Sequence, residues 1–295
     1  MAEDERSTPI VPGNGEGLPH GSPEAEQESI ELGGLLTAIF EQYGVDFRDY
    51  AYSTLKRRVM RRVIEENTGT ISGLQKLVLA DRLSMERLLT SLTIHVTAMF
   101  RDPGFYLALR EQVLPVLRTY PFIRLWVAGC STGEEVYSLA ILLHEEGLYS
   151  RCRIYATDLR ERILDKARAG IFPLAVMQDY TRNYQQAGGQ HAFAEYYTSD
   201  NEFVVFRPFL KENVIFATHN LVGDASFNEF HGVFCRNVMI YFNRSLQERV
   251  HRLFHESLVT FGYLGLGRSE SIRFSEGEHL YEPVVSKERI YRKIK

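Results

Sequence analysis

The chain has 295 residues, 44% of them hydrophobic, and a formal net charge of −4 at pH 7. That apolar content is enough for a buried core in one large domain or two moderate ones. The charge gives no whole-chain reason to expect nucleic-acid or membrane binding, so any basic partner surface has to be local.

The first 29 residues are rich in Glu, Pro, Gly and Ser with almost no large apolar groups, and they read as a disordered tail. Their start, MAEDERSTPI, is acidic rather than basic-then-apolar. No later stretch approaches the roughly 18 uncharged apolar residues of a membrane helix. Three scattered cysteines, Cys130, Cys152 and Cys235, make neither a disulfide framework nor a CxxC metal site. A cytoplasmic protein that does not insert into membranes is expected.

Residues 30–101 place apolar side chains at helical spacing, with Leu35, Leu36, Ile39 and Phe40 in one stripe and Leu55, Val59 and Val63 in another. Gly44, Gly69 and Gly73 cut this region into short helices, giving an all-helical N-terminal domain. The helix in residues 53–67, STLKRRVMRRVIEEN, carries Lys56, Arg57, Arg58, Arg61 and Arg62. Arg57 and Arg61, like Arg58 and Arg62, are like-charged i,i+4 neighbours that cost a few tenths of a kcal/mol per pair. An acidic partner would offset that cost. A solvated basic face is the plain alternative, and the lack of interleaved aromatics disfavours nucleic acid.

The second domain spans residues 102–295. After Pro121 come short apolar runs separated by helical segments: IRLWVA, RIYAT, NVIFAT, HGVFC and GYLGLG. This alternation predicts a mostly parallel sheet covered on both faces. Between Gly170 and Lys211 the rhythm breaks, and the pieces EYYTS and EFVVF around Asp200-Asn201 suggest a small antiparallel β-subdomain inserted at about residues 188–211. His251 and His255 share a helix face, but HRLFH lacks the Glu of HExxH, and no metal is assigned.

The first strand runs into GCSTGEE. In an open parallel sheet the ligand sits beyond the carboxyl ends of the strands. A dinucleotide loop would read GxGxxG and aim a positive helix start at pyrophosphate, whereas Glu134 and Glu135 favour a cation. The second strand ends at Asp158, 23 residues after Glu135, where an acid can accept hydrogen bonds from ribose hydroxyls. A ligand with a ribose, a positive group and no phosphate is S-adenosylmethionine (SAM). The bland alternatives are acids that complement a helix dipole and an aspartate that caps the next helix.

With TAMFRD (97–102), AGCSTGEEVYSLA (128–140), ATD (156–158), HNL (219–221), FCRNVMIYF (234–242) and RSES (268–271) in this order, the chain resembles the CheR family of chemoreceptor glutamate methyltransferases from about Leu35 to its C-terminus. The resemblance implies a Rossmann-like SAM-dependent methyltransferase fold with an inserted β-subdomain behind an all-α domain. It implies SAM as cofactor and S-adenosylhomocysteine as product. Glu135 and Asp158 match contacts to the methionine end and the ribose, Asn220 and Leu221 flank the adenine, and Arg236 and Asn237 fall on contacts after the fourth strand. Thr97 and Arg101 match cofactor contacts in the segment joining the domains, and His95 stands where the family often has Asn. Arg101 and Tyr241 occupy the positions proposed to act on substrate. Arg268 replaces the His of the family's GHSE.

The partner implied is a methyl-accepting receptor whose acidic coiled-coil helices meet the basic helix of a monomer. The rival readings are a non-catalytic regulatory module that binds SAM or S-adenosylhomocysteine, and methyl transfer to a small molecule.

Overall fold

A computed structural model describes residues 23–92, 97–273 and 275–295; His95 lies outside them. Four helices form the N-terminal domain: α1 (Pro23–Tyr43), α2 (Tyr52–Glu65), α3 (Ile71–Ala80) and α4 (Arg82–Leu92). Their core holds Leu32, Leu35, Leu36, Ile39, Phe47, Leu55, Val59, Val63, Leu74 and Leu88. Phe40, expected in that stripe, is exposed instead and lies beneath the Arg48 guanidinium, 4.1 Å from the ring centre. The segment read as a disordered tail also needs correction, because residues 23–29 are helical. Acids on that helix give the reason. Glu28 pairs with Lys56 of α2, and Glu31 accepts the backbone N–H of Ser72 in α3 at 3.1 Å.

The second domain opens with α5 (Pro103–Ala108), a π-helical turn over Leu109–Val113 and α6 (Leu114–Leu117). There follow β1 (Ile123–Ala128), α7 (Glu134–Glu145), β2 (Cys152–Asp158), α8 (Glu161–Ala169), β3 (Ile171–Pro173), α9 (Met177–Gln186), β4 (Tyr197–Ser199), β5 (Phe203–Phe206) and β6 (Val214–Thr218). The chain closes with β7 (Phe230–Cys235), α10 (Arg244–Ser257), β8 (Leu258–Leu266), β9 (Tyr281–Val285) and β10 (Ile290–Lys293). The main sheet has the order β6-β2-β1-β7-β8-β10-β9. Its pairings from β6 to β8 are parallel, and β10 and β9 add an antiparallel edge. Strand order reverses between β1 and β7, which leaves a crevice at their carboxyl ends.

Strands β3, β5 and β4 form a separate antiparallel sheet. The Asp200 carboxylate shapes its turn by accepting the N–H groups of Glu202 at 2.8 Å and Phe203 at 2.7 Å. This sheet takes in β3 from Ile171, well before the boundary near 188 read from sequence, because a three-residue strand carries too little pattern to stand out. Glu145, at the end of α7, anchors the subdomain: it accepts from Tyr184, from Tyr196 at 2.9 Å and from Arg110 at 2.6 Å.

The helical domain sits over the carboxyl ends of the strands through specific contacts. Ala51 N–H donates to the Tyr241 carbonyl and Asn243 N–H to the Asp49 carbonyl, both at 2.8 Å. The Tyr50 ring packs edge-on against Phe242 at 5.0 Å, and Arg162 on α8 pairs with Glu86 on α4 at 2.7 Å. Among the described residues, no helix is long and apolar enough to cross a membrane.

Candidate active site

The crevice beyond β1, β2, β6 and β7 opens into a cleft of about 960 Å3, counting its open mouth. Thr97, Arg101, Glu135, Asp158, Asn220, Leu221, Arg236, Asn237 and Tyr241, all expected from sequence, line it together. Tyr50, Leu92, His219 and Phe242 also line it and were not expected there. Tyr50 and Leu92 come from the helical domain, so the cleft is built by both domains.

The backbone of the β1 loop needs its glycines. Gly129 has φ +75, and an added Cβ would lie 2.5 Å from Val238 Cγ2. Gly133, at φ +96, precedes α7, and Ser131 between them is also left-handed at φ 52. Asp158 holds this bend, since its Oδ2 accepts the Ser131 N–H at 2.9 Å. Its Oδ1 has a longer contact, 3.4 Å from the Arg160 N–H. Helix α8 begins at Glu161 with Arg160 as its cap residue, so Asp158 supports the loop and faces the cleft rather than capping a helix.

The two adjacent glutamates part ways. Successive helical residues point about 100° apart, and Glu134 turns to the protein interior. There its Oε2 accepts from the Thr132 hydroxyl at 2.6 Å and its Oε1 from the Tyr180 hydroxyl at 3.4 Å. Only Glu135 faces the cleft. Its Oε2 lies 3.5 Å from Arg236 Nη1, while its Oε1 is shut from solvent with no hydrogen-bond partner. An unpaired buried carboxylate oxygen costs free energy, and a ligand ammonium would satisfy it. The Asp158 acid, the glycine-bent loop and this orphaned oxygen fit a nucleoside with a cationic tail.

Arg236 lines the cleft and also reaches behind it. Its side chain is buried, and Nη2 donates at 2.9 Å to both the Arg101 carbonyl and Asp102 Oδ2. The guanidinium also lies 4.1 Å from the Phe105 ring centre. Arg236 thus ties the domain junction to Glu135. Glu270 was also missed. Its buried carboxylate accepts the N–H groups of Gly267, Asn237, Val238 and Met239 at 2.7 to 2.9 Å, which fixes the loop after β7. The acid of RSES was the available signal, but three of its four partners, Asn237, Val238 and Met239, lie 31 to 33 residues away in sequence. Phe100, next to Arg101, is buried against Tyr106, Tyr184 and Phe193; Tyr50 and Phe242 supply aromatic wall.

The basic helix does not present five cations to one surface. Arg57 and Arg61 are exposed, but Arg61 pairs with Glu65 at 2.8 Å, and Arg62 lies 2.6 Å from Glu65 and 3.6 Å from Glu66. Lys56 pairs with Glu28. Arg58 is buried and faces Tyr241. The like charges are thus offset within the domain.

Burial raises the pKa of both Glu135 and Asp158, opposed at Glu135 chiefly by Arg236 and at Asp158 chiefly by the Ser131 N–H. A cationic ligand binds their ionised forms. Affinity for SAM is therefore full above the raised pKa values and is lost as pH falls through them, beginning above the usual carboxylate range of about 4. Calorimetric titration across descending pH checks this; affinity that stays flat down to about pH 4.5 would contradict it.

A cleft at the switch point of the sheet, lined by two acids and without a phosphate-binding loop, suits a cationic nucleoside such as SAM. Residues 95–288 match the family model described as CheR methyltransferase, SAM binding domain, and residues 30–93 match CheR methyltransferase, all-alpha domain. A Pseudomonas putida protein carrying the name methyltransferase Cher3 is 48% identical over 264 residues, covering 90% of this chain and 97% of that one. The chemotaxis protein methyltransferase of Listeria monocytogenes is 30% identical over 231 residues, covering 78% and 85%. The one from Salmonella typhimurium is 30% identical over 245 residues, covering 79% and 81%. The chain belongs to the CheR methyltransferase family, and SAM is its cofactor.

Proposed function

We propose that the protein methylates glutamate side chains of a chemoreceptor-like partner, forming methyl esters, and that it works as a monomer in the cytoplasm. The observation that carries this reading is one cleft in which Arg101 and Tyr241 join Glu135 and Asp158. The relatives named chemotaxis protein methyltransferases support it. Exposed Arg57 and Arg61 are the docking points for the partner's acidic helices.

When bound, SAM supplies a sulfonium methyl that passes to a carboxylate oxygen by in-line displacement, with S-adenosylhomocysteine leaving. A glutamate acceptor, with a reference pKa of about 4.3, is already ionised at neutral pH, so no residue here is needed as a base. Asp158 holds the ribose, and Glu135, oriented by Arg236, receives the ammonium end. Asn220 and Leu221 flank the adenine. Tyr241 donates a hydrogen bond to the incoming carboxylate, and Arg101 orients it. Tyr50 and Phe242 exclude water, and alignment of the reacting atoms supplies much of the roughly 7–11 kcal/mol that proximity can contribute.

Incubating the protein with methyl-labelled SAM and the signalling domain of a receptor from the same organism tests the reading. Base-labile label on that domain is expected. SAM binding without label would favour the regulatory module instead, and label only in small molecules would favour the small-molecule acceptor.

A further inference from the structure

Arg58 belongs to the basic helix by sequence, yet it is 7% exposed. Its guanidinium carbon lies 4.7 Å from the centre of the Tyr241 ring. Nη1 donates to the carbonyl of Leu92, the last residue of α4, and Nη2 is shut from water with no hydrogen-bond partner. Leu92, Tyr50 and Tyr241 all line the cleft. One residue before α2, the Ala51 N–H donates to the Tyr241 carbonyl. Helix α2 therefore grips Tyr241 twice, at its backbone through Ala51 and at its ring through Arg58.

A buried cation is a poor choice for mere packing, since an apolar side chain of similar volume often fills such a place without loss. A cation over an aromatic face is attracted by the ring's negative quadrupole. Burial disfavours the charged form of Arg58, and the Tyr241 side chain is the foremost group opposing that effect.

We infer that Arg58 is a positioning residue for methyl transfer, fixing the Tyr241 phenol on the acceptor side of the cleft so that turnover depends on the helical domain being seated. This rests on the reading of Tyr241 as the partner of the acceptor carboxylate. Its effect falls on the acceptor side, away from Asp158 and the ribose.

The test uses the full chain as wild type, Arg58→Met and Arg58→Lys, with 3-fluorotyrosine placed at position 241 in parallel samples. In Arg58→Met, turnover on the labelled receptor domain falls about 10²-fold, the loss associated with a small misplacement of a reacting group. Affinity for S-adenosylhomocysteine stays within about threefold, so the loss does not come from cofactor binding. The fluorine resonance of residue 241 moves. Arg58→Lys restores part of both, because an ammonium keeps a cation near the ring without the planar fork that reaches Leu92. Turnover within about twofold of wild type in Arg58→Met, or a loss matched by equal loss of S-adenosylhomocysteine affinity, overturns the inference. Should wild type itself label no receptor, the proposed function fails separately. The fluorine spectrum then decides for Arg58, with a shift in Arg58→Met supporting it and an unmoved resonance overturning it.

Discussion

Arg101→Ala lowers turnover on the receptor acceptor by about 10²–10³-fold, the range seen when a preorganised donor is removed, while SAM affinity changes by less than about tenfold. The backbone explains why this position is fixed. Phe100 and Asp102, on either side of Arg101, are both left-handed at φ 50 and φ 55, conformations that cost free energy and persist only where the surroundings enforce them. Here the enforcement comes from the Ser138 hydroxyl, which accepts the Phe100 N–H at 2.8 Å, and from Arg236, which binds the Arg101 carbonyl and the Asp102 carboxylate. Arg101 is thereby aimed into the cleft, and its charge acts on Glu135. Steady-state kinetics with calorimetry separate the two quantities. Equal loss of turnover and affinity would contradict the assignment of Arg101 to the acceptor.

Asp158→Ala has the opposite signature. Hydrogen bonds to a charged group contribute about 1.5–3 kcal/mol, so affinity for SAM and its product falls by about 10- to 150-fold. The variant also removes the Asp158 acceptor of the Ser131 N–H and loosens the left-handed bend that lets the β1 loop approach the ligand. Asp158→Asn keeps an acceptor for Ser131 but loses the charge, and its affinity lies between those of wild type and Asp158→Ala. Equilibrium titration of the three proteins checks the order; full affinity in the alanine variant would remove Asp158 from the site.

What the sequence made legible was local. The GCSTGEE loop and the acid ending IYATD announce their chemistry within a few residues, because glycine conformation and strand-end position are short-range properties. The parallel strands β1, β2, β6 and β7 were visible as apolar runs for the same reason. What depended on distant contacts was not. Nothing in the spacing of residues 50–62 tells that Tyr50 and Arg58 cross a domain boundary to reach Phe242 and Tyr241. Equally, nothing near Glu270 tells that it collects four backbone N–H groups. Charge and spacing did not separate Glu134 from Glu135; the family resemblance singled out Glu135, and the helix start sends one inward and the other into the cleft. On α2 the sequence did not show that Lys56, Arg61 and Arg62 have acidic neighbours in Glu28, Glu65 and Glu66. The β9–β10 edge and the short β3 were missed because their pairing, rather than their residues, makes them strands.

Calorimetry of the purified full chain with S-adenosylhomocysteine asks the simplest question of this cleft. A single site per chain is predicted, weakened in Asp158→Ala and changed by less than about tenfold in Arg101→Ala. A wild-type protein of verified fold that takes up neither this ligand nor SAM would contradict the site as described.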